Sequence, residues 1–520
     1  MKILYIAAEC KPFSKVGGVG DVAGELPVAL QKEGVDIEII TPLYDGEHGF
    51  LAGKTITQLN KTQYSFPFKV QTSADKTAQM KFAAERESKD VQVYQWVPTK
   101  EADFQVPVSL VSNAEYFGGK YGQPYIVSQD IPFRDDILRF SFFSEACLQI
   151  IKEKQPDIVH INDWVLGYLF GRMAMEGLPQ KRVLTIHNIG YQGNIGIETI
   201  KGWHIESILA DKKIGPLFLD PRQAWHSVNA LRLALELSHR INTVSANYCR
   251  EITEPENSDR YFAGGKGLDA ITRRLNDEGK LLGVLNGFEY LFMPTVSEFS
   301  QILKKKLKMK QALARDFKTP DAFLLGFVGR AVEQKFKLLT EEIDGKSVLE
   351  HILDIPGINV AIVATGLPEY EAFLASLKGK DNCSITIAFD KEKARQISLG
   401  SDVLLMPSLF EPCGITQMES LSNATPPLVR WTGGLVDTVR PHGEAGGTGF
   451  GFDGSTKAEV LANLIRSVHD ALNVYSKKKH EFMQLQKNGF NERFLWSTAA
   501  KKYIETIYKP AMLENDPGTD

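Results

Sequence analysis

Short runs of β-branched and other apolar residues alternate along the chain with longer stretches in which apolar side chains recur every three or four positions. The runs at 2–8, 36–40, 157–161, 182–186 and 240–245 predict strands, because a strand covered on both faces needs apolar side chains at successive positions. The stretches at about 20–33, 134–154, 164–176 and 223–238 predict amphipathic helices packed against them. Strands and helices in alternation imply a parallel sheet. Residues 54–98 break the rhythm: Tyr64–Val70 and Val91–Val97 alternate apolar and polar side chains with a period of two, which predicts an antiparallel hairpin inserted there.

A strand at 281–285 ends at Asn286-Gly287. Met293-Pro294 and a polar stretch then lead to a second βα series with strands at 323–328, 358–363, 384–388, 402–406 and 426–429. A last helix, at about 496–513, begins near Trp496-Ser497 and takes Lys509-Pro510 as its stop; no strand stands behind it, so it is expected to cross back onto the first domain. The expected division is an α/β domain over 1–290 carrying the insertion, an α/β domain over 291–490, and a returning helix with a polar tail over 491–520.

The 520 residues are 43% hydrophobic and 24% charged, with a net charge of −4. Such a chain has ample core and no global attraction to nucleic acid or anionic lipid. The basic runs Lys304–Lys310 and Lys477–Lys479 carry no interleaved aromatics and read as solvated helix faces, not nucleic-acid sites. Five cysteines, Cys10, Cys147, Cys249, Cys383 and Cys413, lie far apart without a C-x-x-C pair, which argues against a disulfide framework or a structural zinc. No leader or transit segment and no membrane span is read from the sequence, so a cytoplasmic location is expected.

Candidate chemistry gathers just after the strands. Lys15-Val16-Gly17-Gly18-Val19-Gly20-Asp21 follows the first strand and opens a helix, so it reads either as a phosphate cradle with a cation or as an unliganded glycine-rich turn. Gly329-Arg330 and Lys335 follow the strand at 323–328, in the crevice where open α/β sheets bind ligands. Glu411-Pro412-Cys413-Gly414-Ile415-Thr416-Gln417 follows the strand at 402–406, with Glu411 on the loop and Gly414 to Thr416 at the next helix start. Cys413 reads as a packing residue and not a nucleophile. Asp163-Trp164 and His187-Asn188 end two more strands on the same rim. No D-x-D and no metal-ligand spacing occurs, so Lys, Arg and backbone dipoles are expected to meet any leaving-group charge, with no metal and no cofactor.

Taken in order, these motifs, with Asn162-Asp163-Trp164, Thr185-Ile186-His187-Asn188, Tyr191-Gln192-Gly193, Thr243-Val244-Ser245, Gln334-Lys335 and Thr432–Val439, resemble those of bacterial glycogen synthases and plant starch synthases across nearly the whole chain. The resemblance implies a GT-B fold, with two Rossmann-like domains facing each other across a deep cleft. It implies a retaining transferase that moves glucose from ADP-glucose to the 4-hydroxyl of glycogen, starch or a malto-oligosaccharide. By the same resemblance Lys15, Gly17, Gly18, Arg330, Lys335 and Thr416 hold the diphosphate, with Cys413, Gly414 and Ile415 in the same loop. Asp163, His187, Asn188 and Glu411 surround the glucose, and Asn286 lies near the domain crossover. Three positions depart from the family pattern: Phe336 replaces a glycine, Glu289 an aspartate, and Glu419, eight residues after Glu411, resembles the wider retaining GT-B class and is a candidate ribose contact. The alternatives are a GT-B relative using UDP-glucose or another sugar nucleotide, and a catalytically weak glucan-binding or priming homologue.

Overall fold

A computed structural model of the chain describes residues 1–45, 60–68, 87–98, 104–125, 134–200, 205–222, 226–291 and 295–517. Met293-Pro294, residues 54–59 and 69–86 of the insertion and residues 223–225 lie outside the described residues; the helix expected at 223–238 begins only at Ala230, because Ser227–Asn229 is a short strand paired with Asn194–Gly196. Among the described residues a first sheet has nine strands: β1 (Lys2–Ile6), β2 (Asp36–Pro42), β3 (Asn60–Phe68), β4 (Glu87–Trp96), β5 (Val108–Ser112), β6 (Ile158–Asn162), β7 (Lys181–Ile186), β8 (Arg240–Thr243) and β9 (Leu281–Gly283). Their spatial order is β9-β8-β7-β6-β1-β2-β5-β4-β3.

From β9 to β5 every neighbouring pair is parallel, and Ile3 to Ile6 and Ile158 to Ile161 are buried, as expected of strands covered by helices on both sides. The inserted hairpin pairs antiparallel, β3 with β4 and β4 with β5, and so extends one edge. β5 has no counterpart among the expected elements. It is five residues long with two serines, and its place between β2 and β4 is what joins the hairpin to the sheet.

The second sheet has six strands: β10 (Phe323–Ala331), β11 (Ile358–Gly366), β12 (Cys383–Thr386), β13 (Val403–Met406), β14 (Pro427–Arg430) and β15 (Phe450–Phe452), all parallel, in the order β12-β11-β10-β13-β14-β15. In both sheets the strand order reverses beside the first strand: between β1 and β6 in one, and between β10 and β13 in the other. Loops leave such a point in opposite directions and open a crevice at the carboxyl ends of the strands.

Pro510 does not end the last helix. The segment runs helical over Trp496–Lys502, widens to a π turn over Tyr503–Tyr508, and resumes over Lys509–Leu513. Pro510 sits in the first turn of the final piece, directly after the π turn, where the regular hydrogen-bond ladder is already interrupted. Ala500, Tyr503, Ile507, Tyr508 and Ala511 bury against Ile3 and Tyr5 of the first sheet, so the segment crosses back.

Phe336, the replacement for a family glycine, is fully buried, with its ring edge-on to Phe327, Tyr370 and Phe373. Its ring fills the core under the helix Glu333–Thr340.

Candidate active site

Apart from Asn286, which follows β9, every candidate residue of the first sheet follows β1, β6 or β7. Asp163 leaves β6 with φ +58°, a left-handed conformation that costs a non-glycine residue about 1–3 kcal/mol and recurs where a site over-determines the backbone. The compensation is visible: its Oδ1 accepts hydrogen bonds from the backbone amides of His187 at 2.7 Å and Asn188 at 3.3 Å. One carboxylate thereby ties the ends of β6 and β7 together. Asn188 Oδ1 in turn accepts from Gly190 N at 2.9 Å. Burial pushes the Asp163 carboxyl up to about 7, against the lowering by the two amides, and pushes the His187 imidazole down to about 3.

The sign for Asp163 is that of a raised carboxyl: the folded state binds its proton more tightly than the unfolded chain, so this contribution to stability is present at low pH and lost as pH rises through about 7. Asp163→Asn is therefore expected to raise the melting temperature, relative to the parent, more at pH 8 than at pH 5. Parallel melting curves at the two pH values measure this, and an equal shift at both would contradict it.

The glycine loop holds a feature absent from the sequence reading. Glu9, fully buried after β1, turns its carboxylate onto the loop and accepts from the amides of Val16, Gly17 (3.0 Å) and Gly20. Burial raises its pKa and these amides lower it. Three donors that an incoming phosphate would seek are engaged internally, whereas Gly18 is exposed with open space where a side chain would stand. Lys15 Nζ lies 2.6 Å from Asp21 and is half-exposed.

On the second sheet, Arg330 lies exposed near the end of β10 and has no hydrogen bond or ion pair among the described residues. Lys335 Nζ donates to Glu411 Oε2 at 3.0 Å, and Ser408 Oγ adds a bond to the same oxygen at 3.1 Å. Glu411 is buried. Its loop is braced from behind: Gly434 N donates to the Glu411 carbonyl at 2.9 Å, and Gly433 N to the Glu251 carboxylate of the first domain at 2.7 Å. Gly414 has φ +75° and precedes Ile415 and Thr416, where the helix Thr416–Ser422 begins. Burial raises the Glu419 carboxyl, and its side chain has no partner among the described residues.

The two halves meet beside this loop. Ser245 Oγ donates to the Pro412 carbonyl at 2.7 Å, and the buried Arg430 donates to the carbonyls of Arg260 at 2.7 Å and Tyr261 at 2.9 Å. Cys413 packs with Val244 and Met418, its thiol pushed up to about 12 by burial beside Asn286. Glu289 is exposed, 3.9 Å from Lys11 Nζ. Glu9, Glu251 and Arg430 were not among the candidates: Glu251 and Arg430 have partners across the domain boundary, and Glu9, set in the apolar run Ala7–Cys10, turns back onto amides seven to eleven positions later.

A family model of the starch synthase catalytic domain matches residues 2–274, and one of group 1 glycosyl transferases matches residues 313–481. The chain belongs to the glycogen and starch synthase family. Among its relatives, the glycogen synthase of Petrotoga mobilis is 31% identical over 98% of this chain and 99% of its own, and that of Streptococcus mutans is 32% identical over the same shares. The catalytic domain of starch synthase IV from Arabidopsis thaliana, solved bound to ADP and acarbose, superposes with a TM-score of 0.73 at 25% identity, covering 98% of this chain and 99% of that one. Sucrose-phosphate synthase from Thermosynechococcus elongatus shares the fold, with a TM-score of 0.53 at 15% identity over 98% of each chain. The fold is the two-domain GT-B arrangement. As a glycogen and starch synthase the chain is a glycosyltransferase of glucan synthesis, taking a sugar nucleotide as donor and a glucan as acceptor. No helix among the described residues is long and apolar enough to cross a membrane.

Proposed function

We propose that the chain transfers glucose from ADP-glucose to the non-reducing 4-hydroxyl of an α-1,4-glucan with retention at C1. In this reading the domain over 1–290 holds the acceptor side, and the domain over 291–490 holds the nucleotide sugar. The observation that carries it is Arg330: an exposed guanidinium without a partner among the described residues, at a switch point and five positions from Lys335. A planar fork of donors in that position suits a diphosphate. That starch synthase IV was solved with ADP supports adenosine as the nucleoside.

Arg330, Lys335 and Thr416 hold the diphosphate from one domain, and Lys15 from the other; Gly17 and Gly18 let the backbone pass close. Cys413, Gly414 and Ile415 shape the loop, and Glu419 takes the ribose. Asp163, His187, Asn188 and Glu411 line the sugar. The bond from C1 to the diphosphate oxygen breaks, the acceptor oxygen bonds to C1 on the same face, and its proton passes to the departing phosphate. Lys335 serves both ends of this arrangement, since it already neutralises Glu411. Closure of the two domains around the donor excludes water from the activated sugar.

The test is a donor screen: purified protein with glycogen and either ADP-glucose or UDP-glucose, without added divalent metal. ADP release from ADP-glucose, with new α-1,4 linkages in the product, is expected. Faster turnover with UDP-glucose would replace the donor in this reading, and β-linked product would overturn retention.

A further inference from the structure

Asn162 closes β6 and is almost completely buried, at 1% exposure. Its Nδ2 donates to the Ile6 carbonyl oxygen of β1 at 3.0 Å. A carbonyl oxygen only accepts, so this bond fixes which way the carboxamide faces. Oδ1 is then turned to the Tyr5 hydroxyl at 2.9 Å and to His187 Nε2 at 2.8 Å. An amide oxygen also only accepts, so Nε2 must carry a hydrogen. The remaining ring nitrogen, Nδ1, has no hydrogen-bond partner among the described residues.

We propose that Asn162 is a positioning residue that holds His187 in its Nε2–H tautomer, so that Nδ1 presents a lone pair to a hydroxyl of the transferred sugar. The inference rests on the reading that this sugar lies beside His187. Burial keeps the imidazole neutral, so it acts as an acceptor and not as an acid. The ring is clamped from both ends: its own backbone amide is held by Asp163 at 2.7 Å, and Asn162 spans from β6 to β1 across the switch point. A site built this way rejects a sugar lacking the hydroxyl, because closure around the donor would leave the acceptor shut off from water and unpaired. The titratable groups around it are Asp163 and His160 on the β6 side, Tyr5 on β1, and Glu9, whose charge acts on Asp163.

Two substitutions separate positioning from mere structure. In Asn162→Asp a carboxylate faces Nε2–H and favours the imidazolium, so His187 gains a proton on Nδ1 as the pH falls and loses its lone pair. The kcat/KM profile of this variant is expected to acquire an acid limb beyond any that titration of Asp163 gives the parent, with activity recovering at high pH. Asn162→Ala is expected to lose about tenfold in kcat across the pH range, the scale of one hydrogen bond to a positioned group. Nitrogen NMR of the histidine-labelled parent, with His187 assigned by its loss in His187→Gln, is expected to show Nε2–H. An Nδ1–H signal, or an Asp variant with the parental pH profile, would overturn the proposal. If both variants fail to fold, the parental spectrum alone decides. The donor reading fails separately: another sugar nucleotide can be the substrate while the tautomer and the acid limb stay as expected.

Discussion

Turnover is expected to fall at least about a hundredfold in Arg330→Ala and in Lys335→Ala, the scale for removing one preorganised charge from a developing leaving group. The two variants should differ in stability. Arg330 is exposed and unpartnered among the described residues, so its loss should leave the melting temperature where it was. Lys335 neutralises the buried Glu411, so its loss leaves an uncompensated carboxylate and should lower the melting temperature as well. Steady-state kinetics at saturating donor and acceptor, with melting curves alongside, read both effects. Unchanged turnover in both variants would refute the role given to this rim.

Gly433→Ala is the second substitution with a large expected effect. Gly433 has φ +49°, and a Cβ there would fall on the carbonyl oxygen of Glu411. The obstructing atom is backbone, so no side-chain rotation relieves it; the 411–413 loop must move. The move also strains the bonds from Gly433 N to Glu251 and from Gly434 N to the Glu411 carbonyl. Since displacements of an ångström at a reacting centre cost about a hundredfold, Gly433→Ala should lose at least that in kcat and melt at lower temperature. Gly443→Ala is the control. Its φ of +94° is also positive, but no atom lies within 4 Å of a Cβ there. It should keep its activity; an equal loss in both would trace the effect to backbone conformation and not to the collision with Glu411.

Much of the architecture could be read from the sequence because parallel strands buried on both faces are short, largely apolar runs, and those at 2–8, 157–161, 323–328 and 402–406 stand out from their flanks. Once strands are located their carboxyl ends follow, and with them the rim that carries Asp163, His187, Arg330 and Glu411. The alternating pattern of Val91–Val97 likewise marked the hairpin. β5 escaped because five residues with two serines carry no pattern of their own; the pairing partners define it. The last helix runs to Leu513 as its expected bounds had it, but Lys509-Pro510 is not its stop, because proline is tolerated in a first turn. Glu9 and Asn162 illustrate the harder limit. Nothing local to Glu9 says that its carboxylate turns back on amides seven to eleven positions later, and nothing local to Asn162 joins it to Ile6, Tyr5 and His187. These roles are consequences of strand order, which periodicity does not encode.

Arg330 and Lys15 belong to different domains, and the account requires both to grip one nucleotide. Calorimetric titration of ADP into the parent, Lys15→Ala and Arg330→Ala measures this most directly. Each substitution is expected to weaken ADP binding at least about tenfold, the scale of one charge-assisted hydrogen bond to phosphate. Parental ADP affinity in either variant would mean that the diphosphate does not lie between the two domains, and would contradict the account.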